Sequence, residues 1–170
     1  LGNTIRRRKR RLKMKKIKVN LMETLLKKKL TISCAESLTG GLLASSFIDV
    51  SGASKVFKAG LITYMVETKQ TELNIPKFIL GKDAVNGETA ALMAKNVSEK
   101  FDTDIGVSTT GIAEKYDERP PCAFYSIWLK KTAQSYVFFV EYPETISRKK
   151  VRKKVVKETI KSLIEILINE

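Results

Sequence analysis

At 170 residues, 43% apolar and 29% charged, the chain is long enough for one domain with a sizeable core, and no apolar run approaches the roughly 20 residues of a spanning helix. The net charge of +14 is unevenly placed: residues 1–20 hold ten of the 32 Lys/Arg and none of the 18 Asp/Glu, so the rest is only mildly basic. Two cysteines and no histidine exclude a four-ligand Cys/His zinc site and every Ser-His catalytic pair. The two thiols read as reduced, buried groups of a cytoplasmic protein.

The basic run RRRKRRLKMKKIK reads first as a solvated tail over residues 1–16, or as sequence ahead of a start at Met14. A weak nucleic-acid contact through residues 5–18 is the less favoured reading, since no aromatic accompanies the charge for base stacking. The domain proper is placed at 17–170. Apolar positions Ile17, Leu21, Leu25 and Leu26 predict a helix over 17–30. LTISCAE then reads as a strand, 39–48 as a short helix opening on Gly40-Gly41, and VSGAS as a turn.

KVFKAGLITYM is β-rich, with Gly60 marking a bulge or a close approach. Residues 66–74 suit a short helix that Pro76 ends, LGKDAVNG a loop, and ETAALMAKNVSEKF an amphipathic helix. TDIGVSTTGIA is a small-residue strand entering the polar loop EKYDERPP. CAFYSIWLK and SYVFFVEY predict an antiparallel pair joined near Lys131–Gln134, and residues 147–169 a helix striped by Val151, Val155, Ile160, Leu163 and Leu167. Helices alternating with strands, then two strands in succession, predict a three-layer α/β/α sandwich around a mixed sheet.

Two strands end alike, in CAESLTGG and VSTTGIA, and ligand sites in open α/β sheets gather beyond the carboxyl ends of strands. A helix starting at Thr39-Gly40-Gly41 would aim free N–H groups at an anion or oxyanion, with Ser37 just before them. Without histidine, the remaining common base is a lysine of lowered pKa. Lys69 lies beyond a strand end, and Lys55, Lys58 and Lys82 are equally eligible by composition. The plainer readings are Ser37 or Thr39 as a helix N-cap, Glu36 as a complement to the helix N-terminus, and Lys69 as a solvated lysine.

The sequence resembles the CinA C-terminal domain family, also called nicotinamide-nucleotide amidase. The motif A-E-S-x-T-G-G stands at Ala35–Gly41, D-V-x-G-A-S at Asp49–Ser54, G-x-x-x-Y-x-x-x-x-K at Gly60, Tyr64 and Lys69, and T-G-I-A at Thr110–Ala113. The likeness spans roughly residues 20–168. It implies a cytoplasmic, homodimeric amidohydrolase that converts nicotinamide mononucleotide to nicotinic acid mononucleotide and ammonia, without metal. By the same resemblance Ser37 is the nucleophile and Lys69 its base, with Tyr64 orienting the lysine or substrate and Thr110 lining the pocket. Glu36, Thr39, Gly40, Gly41 and Gly111 would contact substrate. The R-x-x-V-R pattern falls on Arg148 and Arg152, four apart on one helix face, either of which could meet a phosphate. Three segments depart from the family: Glu114–Arg119 replaces a Gly-Pro start and a glycine-rich loop, Asp83–Asn86 replaces G-A-V-S, and Tyr125 replaces a glycine. A divergent domain that binds a nucleotide without turnover is the alternative reading.

Overall fold

A computed structural model describes residues 2–170, with side chains described for residue 12 and residues 14–170. The basic run is therefore described chiefly as backbone, and the contact expected for residues 5–18 lies largely outside the described side chains. The elements are α1 (Gly2–Lys28), β1 (Ile32–Glu36), α2 (Leu42–Ile48), β2 (Phe57–Ile62), α3 (Val66–Leu73), α4 (Lys77–Leu80), α5 (Gly87–Phe101), β3 (Ile105–Ile112), β4 (Cys122–Leu129), β5 (Gln134–Glu141) and α6 (Arg148–Asn169). Two expectations change. The first helix begins at Gly2, because lysine and arginine are good helix formers and continue the pattern N-terminally. A one-turn helix, α4, starts directly after Pro76, whose fixed φ suits a helix entrance as well as an end.

The sheet order is β2-β1-β3-β4-β5, with β1 parallel to β2 and β3, and with β3, β4 and β5 antiparallel in turn. Helices cover both faces, giving the three-layer α/β/α sandwich. Ile32, Cys34, Ile105, Val107, Ile127 and Leu129 pack against Leu21 and Leu25 of α1, Leu43 and Phe47 of α2, and Ile160 and Leu163 of α6. On the other face Leu73, Ile75, Leu80, Met93 and Val97 form a second cluster with Ala35. Cys34 and Cys122 are free and buried. Among the described residues no helix is long and apolar enough to cross a membrane.

Helix α5 lies unusually close to the sheet, and the small residues of β1 and β3 are the reason. Ser33 Oγ donates to Val97 O at 3.1 Å and Ser108 Oγ to Ala90 O at 2.6 Å, both on α5, while Thr110 Oγ1 donates at 2.8 Å to Ala84 O in the loop before it. A Cβ on Gly106 would fall 1.8 Å from the Ala94 carbonyl oxygen, so helix and strand could not both stay in place. Gly106→Ala is expected to destabilise the fold by about 3 kcal/mol, read as a fall of roughly 6–12 °C in Tm. An unchanged Tm would contradict this packing. Gly60 marks a close approach, since its Cβ would meet Cys34 Sγ at 3.1 Å and Ala44 Cβ at 3.2 Å, while the register irregularity lies earlier, where β1 steps from Ile32 to Ser33.

Candidate active site

Strands β1, β2 and β3 end together, and their backbones are stitched where the candidate residues emerge. Thr63 N donates to Glu36 O at 2.8 Å, and Ser37 N donates to Thr109 O at 3.0 Å. The chain then turns tightly, with Gly40 N on Ser37 O at 3.1 Å. Gly40 (φ 53°) and Gly41 (φ 92°) both take left-handed conformations that a residue with a Cβ resists. The G-G pair is therefore demanded by the turn that presents Ser37.

Glu36 closes the structure beneath this turn. Its carboxylate is fully buried and accepts from Gly41 N at 3.1 Å, Leu43 N at 3.0 Å and Ala44 N at 2.8 Å. It thus satisfies the first N–H groups of α2. Two expectations are corrected: these N–H groups are not open to a ligand, and neither Ser37 nor Thr39 caps the helix. Thr39 Oγ1 instead lies 2.7 Å from Thr109 Oγ1, and Ser37 Oγ is left available. Glu36→Gln replaces one acceptor oxygen with a donor facing an N–H. It is expected to lower stability by about 2 kcal/mol, measured by urea unfolding, and a loss under 0.5 kcal/mol would count against the cap.

Lys69 supplies the partner for Ser37. Its Nζ lies 3.1 Å from Ser37 Oγ, 2.7 Å from Thr63 O and 3.3 Å from Tyr64 O. The reach follows from helix geometry, because side chains lean toward the helix N-terminus and Lys69 sits in the first turn of α3. Lys69 is 1% exposed and forms the buried face of α3 with Leu73. Burial without a paired carboxylate pushes its pKa down to about 8, against a smaller upward pull from Glu67. The competing lysines are set aside: Lys55, Lys58 and Lys82 are exposed, and Lys58 Nζ donates to Asp102 O.

The remaining candidates divide. Tyr64 orients Lys69 through its carbonyl, while its half-exposed phenol accepts from Arg148 Nη2 at 2.7 Å. Arg152 is a clamp on the serine turn, its Nε on Leu38 O and its Nη2 on Thr39 O, both at 2.9 Å. Arg148 lies at the surface beside Tyr64 and also donates from Nη1 to Glu114 Oε1 at 2.9 Å. Thr110 is turned aside: buried, it spends its hydroxyl on the Ala84 carbonyl and makes no hydrogen bond to Ser37 or Lys69. Gly111 is required by strand packing, since a Cβ there would sit 2.3 Å from Cys122 O. Gly40 faces the Arg152 guanidinium, 3.1 Å from where its Cβ would lie.

The segments that depart from the family are ordered by local bonds. Asn86 caps α5 by accepting from Thr89 N, Asp83 pairs with Arg119, and Tyr125 stacks on Phe138 while its hydroxyl meets Ser162 Oγ at 3.0 Å. Thr63 and Thr109 support the site; the sequence reading passes over Thr63 and takes Thr109 as a strand former meeting a turn. The visible clue to Lys69 was its place in a stripe, Val66-x-x-Lys69-x-x-x-Leu73, where a core residue belongs. Among the described residues no group of His, Cys, Asp or Glu could hold a metal ion.

Comparison with known proteins bears on this arrangement. A family model described as the CinA C-terminal domain matches residues 14–167. A CinA-like protein of Dictyoglomus thermophilum is 49% identical over 94 residues, covering 55% of this chain and 23% of the relative. A putative competence-damage inducible protein of Bacillus thuringiensis is 48% identical over 93 residues, covering 54% and 23%. The matched stretch thus spans about a quarter of these relatives' length. Among solved structures, competence damage-inducible protein A (ComA) of Klebsiella pneumoniae superposes with a TM-score of 0.84 at 19% identity, covering 91% of this chain and 97% of that one. CihA of Agrobacterium tumefaciens does so at 0.83 and 24%, covering 89% and 94%. These likenesses carry the fold.

Proposed function

The chain belongs to the CinA C-terminal domain family, and on that premise we propose that it is an amidohydrolase acting on the carboxamide of nicotinamide mononucleotide. The observation that carries the reading is the 3.1 Å contact between Lys69 Nζ and Ser37 Oγ. The geometry suits a base. A neutral amine has two N–H bonds and one lone pair. With Thr63 O and Tyr64 O taking the two N–H groups, the lone pair is left for the serine proton.

In the proposed reaction Ser37 Oγ attacks the carboxamide carbon as its proton passes to Lys69 Nζ. The C–N bond then breaks, Lys69 returns the proton to the leaving nitrogen, and ammonia departs. The acyl ester on Ser37 is cleaved by a water that gives a proton to the same amine; Lys69 passes that proton to the departing Ser37 oxygen, and nicotinic acid mononucleotide is released. The N–H groups of Leu38 and Thr39, which donate to no acceptor among the described residues, are those the turn leaves for a developing oxyanion. The half-exposed ring of Tyr64 offers a face to the pyridinium, and Arg148 a guanidinium to the phosphate. We read the protein as cytoplasmic and homodimeric, in keeping with the family.

The test is incubation of the pure protein with nicotinamide mononucleotide and assay of ammonia. No release from the wild type removes this substrate. The second reading, nucleotide binding without turnover, draws on the ion pairs that hold the 114–119 loop: Glu114 with Arg148, Lys115 with Glu144, and Arg119 with Asp83. It predicts a rise in Tm with mononucleotide and no ammonia.

A further inference from the structure

Arg148 and Arg152 share a face of α6, yet Arg152 is committed to the Leu38 and Thr39 carbonyls. Arg148 is therefore the guanidinium available at the surface beside Tyr64, and it is already engaged with an anion. Its Nη1 holds Glu114 Oε1 and its Nη2 holds the Tyr64 hydroxyl, whose residue's own carbonyl accepts from Lys69. The ion pair is solvated, with side-chain exposures of 45% for Arg148 and 64% for Glu114, so it opens readily. A phosphate carries more charge than a carboxylate and is the stronger partner for this guanidinium.

When displaced, Glu114 can move only by swinging its side chain, because its main chain is anchored. It follows directly on Ala113, which is 2% exposed in a cluster with Leu38 and Val151. Beyond it the backbone bridge between Tyr116 and Arg119 closes the loop, with the solvated Lys115–Glu144 and Arg119–Asp83 pairs beside it. A phosphate seated on Arg148 thus lies beside a carboxylate that it has displaced and still repels. Uncharged ligand ends meet neither cost.

We propose that Glu114 is a built-in counter-ion to Arg148 that sets substrate preference, holding down the site's affinity for phosphate-bearing amides relative to their phosphate-free analogues. This rests on the amidase reading, and the experiment separates the two. Nicotinamide mononucleotide and nicotinamide riboside share the ring and the carboxamide and differ in the phosphate. The ratio of their kcat/KM values is measured for wild type, Glu114→Gln, Arg148→Gln and the double variant.

Glu114→Gln is expected to raise the ratio about three- to tenfold, through KM for the mononucleotide, the size of effect a solvated charge pair supports. Arg148→Gln is expected to lower it, and the Glu114→Gln gain is expected to shrink in the Arg148→Gln background. A merely structural role for Glu114 moves both substrates alike, so an unchanged ratio overturns the proposal. If the wild type releases ammonia from neither compound, the amidase reading falls. The charge proposal is then decided by thermal shift with the same two compounds at fixed ionic strength. Greater selective stabilisation of Glu114→Gln by the mononucleotide supports it, and equal shifts, or none with either compound, overturn it.

Discussion

Ser37→Ala is expected to lower ammonia release from nicotinamide mononucleotide by at least about 10⁴-fold, while leaving the fold intact. The size follows from the loss of the nucleophile itself. The Thr39 and Thr109 hydroxyls share one hydrogen bond, and Thr110 donates to the Ala84 carbonyl. The fold should tolerate the change because the Ser37 main chain, not its side chain, makes the bonds to Thr109 and Gly40. Its single side-chain partner is Lys69. Stability is thus expected to change by less than about 1 kcal/mol, the worth of one ordinary hydrogen bond. Ammonia release by the variant equal to wild type would end the covalent mechanism.

Lys69→Met is expected to cost about 10²–10⁴-fold in kcat, the usual share of a general base. Wild-type kcat/KM should rise with pH through about 8 and level off above it, because the neutral amine is the active form and burial brings its pKa to about 8. Near pH 7 about a tenth of the molecules hold the base ready. A rate that falls as pH rises from 7 to 9 would contradict Lys69 as the base.

The same shift has a signature in stability that needs no substrate. The unfolded chain keeps the Lys69 proton up to its ordinary pKa, whereas the folded chain releases it near 8. Between pH 8 and about 10.4 the unfolded state therefore binds more protons, and stability from this group rises with pH. Below pH 8 the cost of burying the cation is fully present, on the order of 3 kcal/mol. Wild type is expected to gain stability relative to Lys69→Met between pH 7.5 and 9.5, measured by urea unfolding of both at each pH. Parallel curves would mean that the amine is not held away from its ordinary pKa.

The local pattern of the chain determined the α/β/α architecture, the mixed sheet and the turn that bears Ser37. Apolar periodicity separates β3 from α5 within a few residues, and Gly40-Gly41 can be read as a tight turn because few other residues accept those φ values. Composition alone removed histidine from the mechanism and so pointed to a lysine. The resemblance named Lys69, but chain pattern by itself left it level with Lys55, Lys58 and Lys82. What singled it out physically was burial against Leu73, which lowers its pKa, and two carbonyl acceptors at the end of β2, which hold its Nζ beside Ser37 Oγ.

Tertiary structure also separated Arg148 from Arg152 and chose, of the two readings of Glu36, the complement to the start of α2 over the ligand contact. Both decisions rest on partners distant in sequence or hidden within the turn: Tyr64 lies 84 residues before Arg148, and Leu38 lies 114 before Arg152. Secondary structure is written in spacings of a few residues, which a single chain displays. The protonation state of a buried amine and the partner of a guanidinium depend on which distant groups the fold brings within about 3 Å, and spacing along the chain carries no record of that.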